Sequence, residues 1–396
     1  MVILGIESTA HTFSIGVVRQ KAKSDDLSKI SLTKSSHEDL VDIEILANEI
    51  DVYKPEKGGI DPDICTQHHK QVKEQVLQRA LEKAGIGLDK VSAIAYSHGP
   101  GLPPCLLVGS EFAKELSDKY HKPVLQINHC IAHIEIAKLF GKMKDPIALY
   151  VSGGNTQVIG FAGSRYRVFG ETMDIGIGNA LDSFGRAIGI SFPAGPEISR
   201  LWQLGNKRRN YIELPYVVKG MDLSFSGIVS DAARRYKAGN KSDESIEDLC
   251  FSFQETTFAM LTEVTERALS HTKKNELILT GGVAAAQRLR EMLSIMCKER
   301  NAKFYACPIE YAGDNGAMIA YTGLLLYKFG KNKYNTNSCS DSQNSHNTNS
   351  QQVGYDTNNS QASHDTNSCP VSQSSKNSHD RFNANWRTDD VEIGWM

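Results

Sequence analysis

Two short stretches of the chain follow one plan, and that repetition limits the possible folds more than any other feature. Residues 2–18 read as a strand, a polar turn (Glu7, Ser8, Thr9, Ala10, His11, Thr12) and a second strand. Residues 146–161 repeat the plan around Ser152, Gly153, Gly154, Asn155 and Thr156. Two strand–turn–strand units with small hydroxyl and glycine turns, placed far apart in one chain, predict an internal duplication. Between them strands and helices mostly alternate, with an apolar-periodic helix at Val72–Ala84 and strands at Val91–Tyr96 and Val124–Ile127. Such alternation builds an α/β fold with helices packed on mixed sheets. At 396 residues, 40% of them hydrophobic, the chain can divide a large core between two lobes, expected at 1–145 and 146–333.

Residues 334–380 depart from this pattern. Asn, Ser, Thr, Gln, His and Asp dominate them, with near-repeats in NTNSC, HNTNS and HDTNSC. A tract with so little to bury is expected to be disordered. The ending VEIGWM is strand-like and amphipathic, so residues 381–396 are expected to return to the folded body, making the tract an insertion. Eight scattered cysteines form no C-x-x-C pair, which argues against a zinc ribbon or disulfide framework and for a reducing compartment. With a strand-like run beginning at Val2, no signal or transit peptide is expected. No apolar run approaches the roughly 18 residues of a membrane span. The expectation is a cytosolic protein, with the nucleus as a second compartment and no membrane partner. The formal net charge of −2, from 44 basic and 46 acidic side chains, gives no global attraction for nucleic acid.

Several constellations offer chemistry. The turn YVSGGNTQ (150–157) has glycines that let backbone amides approach an anion, and also reads as an ordinary hairpin turn. LILTGGVAAAQRLREML (277–293) reads as a buried strand, a Gly281-Gly282 turn and a helix whose N-terminus can face a nucleotide; with the two hairpin turns it completes a three-loop cleft. His129 and His133 lie four apart in NHCIAHIEIA, so one helix would aim both imidazoles at one point, as metal ligands or as packing residues. The glutamate of a zinc metallopeptidase is absent between them, which counts against proteolysis. Asp314, beside Gly313 and Gly316, is a candidate third ligand and equally a helix N-cap. Glu171, Asp174 and Asp182 fall in a glycine-rich stretch, where acids orient ribose hydroxyls or a metal, or cap helices. Lys219, Asp222, Ser224 and Ser226 leave the same choice open.

Taken together, these stretches resemble the tRNA threonylcarbamoyladenosine transferases: bacterial TsaD, its mitochondrial homologue, and the catalytic subunit of the archaeal and eukaryotic KEOPS complex. The likeness runs from ILGIESTAHTFSIGVV through TQHHK, YSHGPGLPPCLLVG, INHCIAHIEIA, LYVSGGNTQVI, ELPYVVKGMDLSFSG and LTGGVAAAQRLREM to DNGAMIAYTG, and resumes at WRTDDVEIGW. Its details favour the archaeal and eukaryotic cytosolic branch. The resemblance implies a duplicated, two-lobed actin-like fold of the sugar-kinase and heat-shock ATPase type, with a cleft between lobes. It implies one divalent metal ion, iron or zinc, on His129, His133, Tyr150 and Asp314. Val151, Ser152, Gly153, Gly154, Asp182 and Gly195 would bind threonylcarbamoyl-AMP. The reaction implied is transfer of the threonylcarbamoyl group to N6 of adenosine 37 in tRNAs reading ANN codons, with KEOPS-type partners, a kinase-like ATPase and a small dimerising subunit. Ser199 stands where the family has glutamate, Ala286 where it has asparagine, and Ile64 where a carboxylate is usual. No residue stands out as a proton acceptor. A metallopeptidase and a non-catalytic nucleotide-binding scaffold are the rival readings.

Overall fold

The computed structural model describes residues 1–21, 43–55, 59–208, 210–238, 245–330 and 382–396. The polar tract at 334–380 lies outside the described residues. In the first half β1 (Val2–Glu7), β2 (Thr12–Gln20) and β3 (Ile43–Val52) precede α1 (Pro62–Ala84), β4 (Ala93–Gly99), α2 (Pro103–Tyr120), β5 (Val124–Asn128) and α3 (His129–Gly141). The second half opens with β6 (Ile147–Val151), β7 (Thr156–Ala162), β8 (Arg165–Glu171), α4 (Ile177–Ala187) and α5 (Gly195–Arg208). Short β9 (Val218–Lys219) and β10 (Asp222–Leu223) lead to α6 (Ser226–Ala238) and α7 (Ile246–Thr272). Then come β11 (Glu276–Thr280), α8 (Gln287–Glu299), β12 (Lys303–Ala306), α9 (Ile309–Ala312) and α10 (Gly316–Phe329).

The two large sheets have the same construction. Their orders are β3-β2-β1-β4-β5 and, from the matching end, β8-β7-β6-β11-β12. Each joins an antiparallel three-stranded meander to two parallel strands. The duplication expected from the two hairpin units is therefore present at the level of whole sheets, and the fold is the α/β, actin-like class.

Helix boundaries follow local chemistry. α1 begins ten residues before the apolar period at Val72, because Asp61 accepts from the N–H groups of Asp63 and Ile64 and Pro62 suits the first turn. It stops where Gly85 takes the left-handed conformation at φ 64°. α3 and α10 are buried on nearly every face, as a helix without a polar side must be. α10 follows the second half in sequence but lies on the first sheet. Gly5 and Gly16, paired across β1 and β2, make that approach possible: a Cβ on either would fall 2.2 Å from the backbone nitrogen of Ala320 or Ala317.

The ending VEIGWM does not form the strand its alternation suggests; one isolated bridge joins Glu392 to Arg165, and Ile393 and Trp395 turn inward. Residues 382–396 run across the molecule: the Asn383 N–H donates to His98 O (2.7 Å), and the Ile393 N–H to Ser164 O (3.1 Å). Six described cysteines are free and buried. No described helix is long and apolar enough to cross a membrane.

On the inner face of α1, His69 is fully buried, with its Nε2 2.9 Å from the carbonyl of Ala10. Burial, then neighbouring His68, pushes its pKa down to about 4 from 6.5. The folded ring stays neutral where the unfolded ring takes a proton, so stability is fully present above pH 6.5 and falls as the pH drops toward 4. The loss should reach roughly 3 kcal/mol. Urea titrations at pH 7 and pH 5 should differ less for His69→Gln than for the wild type.

Candidate metal centre

β5 ends at Asn128, whose side chain accepts from the Ile131 N–H and starts α3, so His129 and His133 stand on successive turns. Their ring centroids are 4.7 Å apart. From the turn before α10, Asp314 brings Oδ1 to 3.5 Å from His129 Nε2 and 3.2 Å from His133 Nε2. The helix-capping alternative for Asp314 fails, because Asn315 is the cap and accepts from the Met318 N–H at 2.9 Å. The three donor groups lie within 4.8 Å of one another. Tyr150, at the end of β6, places its ring 4.9 Å from that of His133. Its hydroxyl is buried, and Ser152 and Asn155 approach without closing a hydrogen bond to it.

Electrostatics mark the same spot. Burial opposes charge on His129, but the carboxylates of Glu7 and Asp314 outweigh it and lift its pKa to about 9. Burial dominates at His133 and holds it below the usual histidine range. Burial works against ionised Asp314 as well, yet the two imidazoles keep it well below the ordinary carboxylate range. Burial, then Cys130 and Asp314, raises Tyr150 far above an ordinary phenol.

Glu7 is the residue that sequence reasoning passed over. It is fully buried at the end of β1. Its Oε2 lies 3.0 Å from His129 Nδ1, and its Oε1 accepts from the Thr9 N–H at 2.7 Å and the Thr9 hydroxyl at 2.5 Å. The available signal was a carboxylate closing an otherwise apolar strand, VILGIE.

The centre opens into a cleft cavity of about 1410 Å³. Ser152, Gly153, Gly154, Asp182, Gly195, Ser199 and Ala286 line it. Val151 does not: it is fully buried in β6, facing the core. The Ser152 and Gly153 carbonyls accept from the N–H groups of Gly178 and Asn179, so this turn spends the first amides of α4 internally. Asp182 takes the Ala194 N–H at 2.8 Å; burial raises its pKa against that bond and Arg186. The Gly281-Gly282 turn leads first into a 3₁₀ turn, Gly282–Ala285, and only then into α8. Ser199 donates to Gln254 at 3.0 Å, and Ile64 stands exposed outside the cavity.

Asp174 is a structural carboxylate. It accepts from the N–H groups of Phe225 and Ser226 at the start of α6. Asp222 accepts the Glu171 N–H, and neither it nor Glu171 lines the cavity. Lys219, Ser224 and Ser226 also lie outside it.

The sequence profile of the TsaD family, tRNA N6-adenosine threonylcarbamoyltransferase, matches residues 44–321. A protein of that name from Thermococcus kodakarensis is 53% identical over 330 residues, covering 83% of this chain and 93% of the relative. The chain belongs to this family. Another member, from Archaeoglobus fulgidus, is 50% identical over 83% of this chain and 93% of its own length. A probable bifunctional tRNA threonylcarbamoyladenosine biosynthesis protein from Methanosarcina acetivorans matches 100% of this chain at 46% identity, over 59% of the relative. Among solved structures, Thermococcus kodakarensis HypF has a TM-score of 0.56 at 12% identity, covering 83% of this chain and 48% of HypF, a likeness of fold alone. Family membership makes this chain a tRNA N6-adenosine threonylcarbamoyltransferase.

Proposed function

We propose that the chain transfers the threonylcarbamoyl group of threonylcarbamoyl-AMP to N6 of adenosine 37 in tRNAs reading ANN codons, with His129, His133, Tyr150 and Asp314 holding one divalent ion. The observation that carries this reading is the convergence of two imidazoles and a carboxylate within 4.8 Å, beside a buried phenol without a hydrogen-bond partner among the described residues, at a glycine-lined cleft. Two nitrogen and two oxygen donors suit iron or zinc. Such an ion, when bound, supplies Lewis-acid polarisation of the acyl carbonyl.

The chain's own residues orient the two substrates. Ser152, Gly153, Gly154, Asp182 and Gly195 line the cleft that would take the adenylate and orient its acyl group. Ser199 and Ala286 leave two family contacts unmade, each worth about 1–3 kcal/mol where the ligand atom is buried. KEOPS-type subunits, a kinase-like ATPase and a small dimerising protein, fit a chain whose net charge of −2 leaves much of the grip on tRNA to neighbours. The cytosol, with the nucleus as alternative, is the compartment where such tRNA is found.

Glu7 holds His129 by its outer nitrogen, the arrangement that orients metal-binding histidines. Glu7→Gln should therefore weaken ion affinity about 10- to 100-fold while leaving the fold intact. Competition with a chromophoric chelator measures it, and equal affinity would count against the role.

Depleting the protein in its host and measuring tRNA nucleosides by mass spectrometry tests the function as a whole. Threonylcarbamoyladenosine should disappear and return with the wild-type chain. Its persistence at normal levels would end the proposal.

A further inference from the structure

We infer that His11 is the proton acceptor of the transfer, an inference that rests on the function proposed above. When the adenosine N6 amine bonds to the carbonyl carbon, the carbon–oxygen bond to phosphate breaks and AMP leaves with the bonding electrons. The nitrogen must then shed one proton. An exocyclic amine is a poor nucleophile unless a base takes that proton as the bond forms.

Among the described residues six titratable side chains line the cavity: His11, His129, Tyr150, Asp182, Arg186 and Asp314. His129 lies between Glu7 and Asp314, and in the proposed reading it, Tyr150 and Asp314 belong to the ion. Asp182 spends Oδ1 on the Ala194 N–H. Arg186 is a permanent cation and cannot accept a proton. His11 is left. Its Nδ1 is buried and has no hydrogen-bond partner among the described residues.

The surroundings hold this ring in place. The Ala10 carbonyl is fixed by His69 at 2.9 Å, and the His11 carbonyl takes the Tyr53 N–H at 2.9 Å. The ring stands edge-on to Phe192 across the cleft, with centroids 6.1 Å apart. Because Nδ1 is closed off from the cleft, the hydrogen sits there and Nε2 carries the accepting lone pair. The proton then passes to solvent at the cleft mouth.

The test is single-turnover transfer from preformed threonylcarbamoyl-AMP to tRNA, using the full chain with the subunits that purify with it. His11→Ala and His11→Gln should each slow transfer about 10²- to 10⁴-fold with tRNA affinity, metal content and melting temperature unchanged. Added imidazole should restore at least about tenfold in His11→Ala and nothing in the wild type. A loss below about threefold, or one that imidazole leaves untouched while tRNA and metal are still bound, overturns the inference. Should His11→Ala fail to fold, the rate of His11→Gln at unchanged binding decides. An active wild type with active variants removes the inference alone; an inactive wild type removes the proposed function and this step together.

Discussion

His129→Ala should abolish both metal content and threonylcarbamoyl transfer. The imidazole is held by Glu7 at 3.0 Å on one side and faces Asp314 at 3.5 Å on the other, so its loss removes a donor and opens the space between two carboxylates. Carbonyl polarisation by a bound ion is worth several kcal/mol, and losing it corresponds to a fall of about 10³-fold or more in rate. Elemental analysis and single-turnover transfer on one preparation measure both quantities. Full transfer by a metal-free variant would refute the assignment of the ion, whatever became of the fold.

The second large effect concerns stability. Glu135 and Lys138, one turn apart on α3, are 2% and 4% exposed. Lys138 Nζ lies 3.1 Å from Glu135 Oε2 and 3.0 Å from the Tyr166 hydroxyl, while that hydroxyl and Trp395 Nε1 both donate to Glu135 Oε1. Removing the carboxylate leaves a buried ammonium without its counter-charge and two donors without an acceptor. Glu135→Ala should therefore cost about 3–5 kcal/mol, whereas replacing both charges with apolar residues of similar volume should cost far less. Denaturant midpoints for Glu135→Ala and Glu135→Leu/Lys138→Met give the comparison. Equal losses in the two would show that packing, not the stranded charge, sets the cost.

Legibility in the sequence followed the range of the forces involved. The duplicated sheets were readable because each begins with a local device, a hairpin whose apolar alternation and small turn residues sit within twenty positions. The His129–His133 pair was readable because helical spacing alone aligns the two rings. Asp314 was ambiguous, since a carboxylate before glycine and ahead of a helix looks like a cap until the neighbouring Asn315 is seen in that role. Glu7 and His11 gave no local sign of their neighbours, which lie on α3 and the loop at Phe192, far along the chain. VEIGWM misled because alternation signals a face to be buried and not the ladder that buries it.

The seating of α10 on Gly5 and Gly16 also governs when the site comes into being. His133 and Asp314 are separated by 181 positions, and the carboxylate arrives only as its helix docks on β1 and β2, which lie far earlier in the chain. A growing polypeptide that has released α3 from the ribosome carries both imidazoles yet still lacks the anion that completes their grip. The proposed ion site is therefore complete only once α10 has packed on β1 and β2, so a chain cut ahead of the turn into α10 should keep both imidazoles and lose the carboxylate.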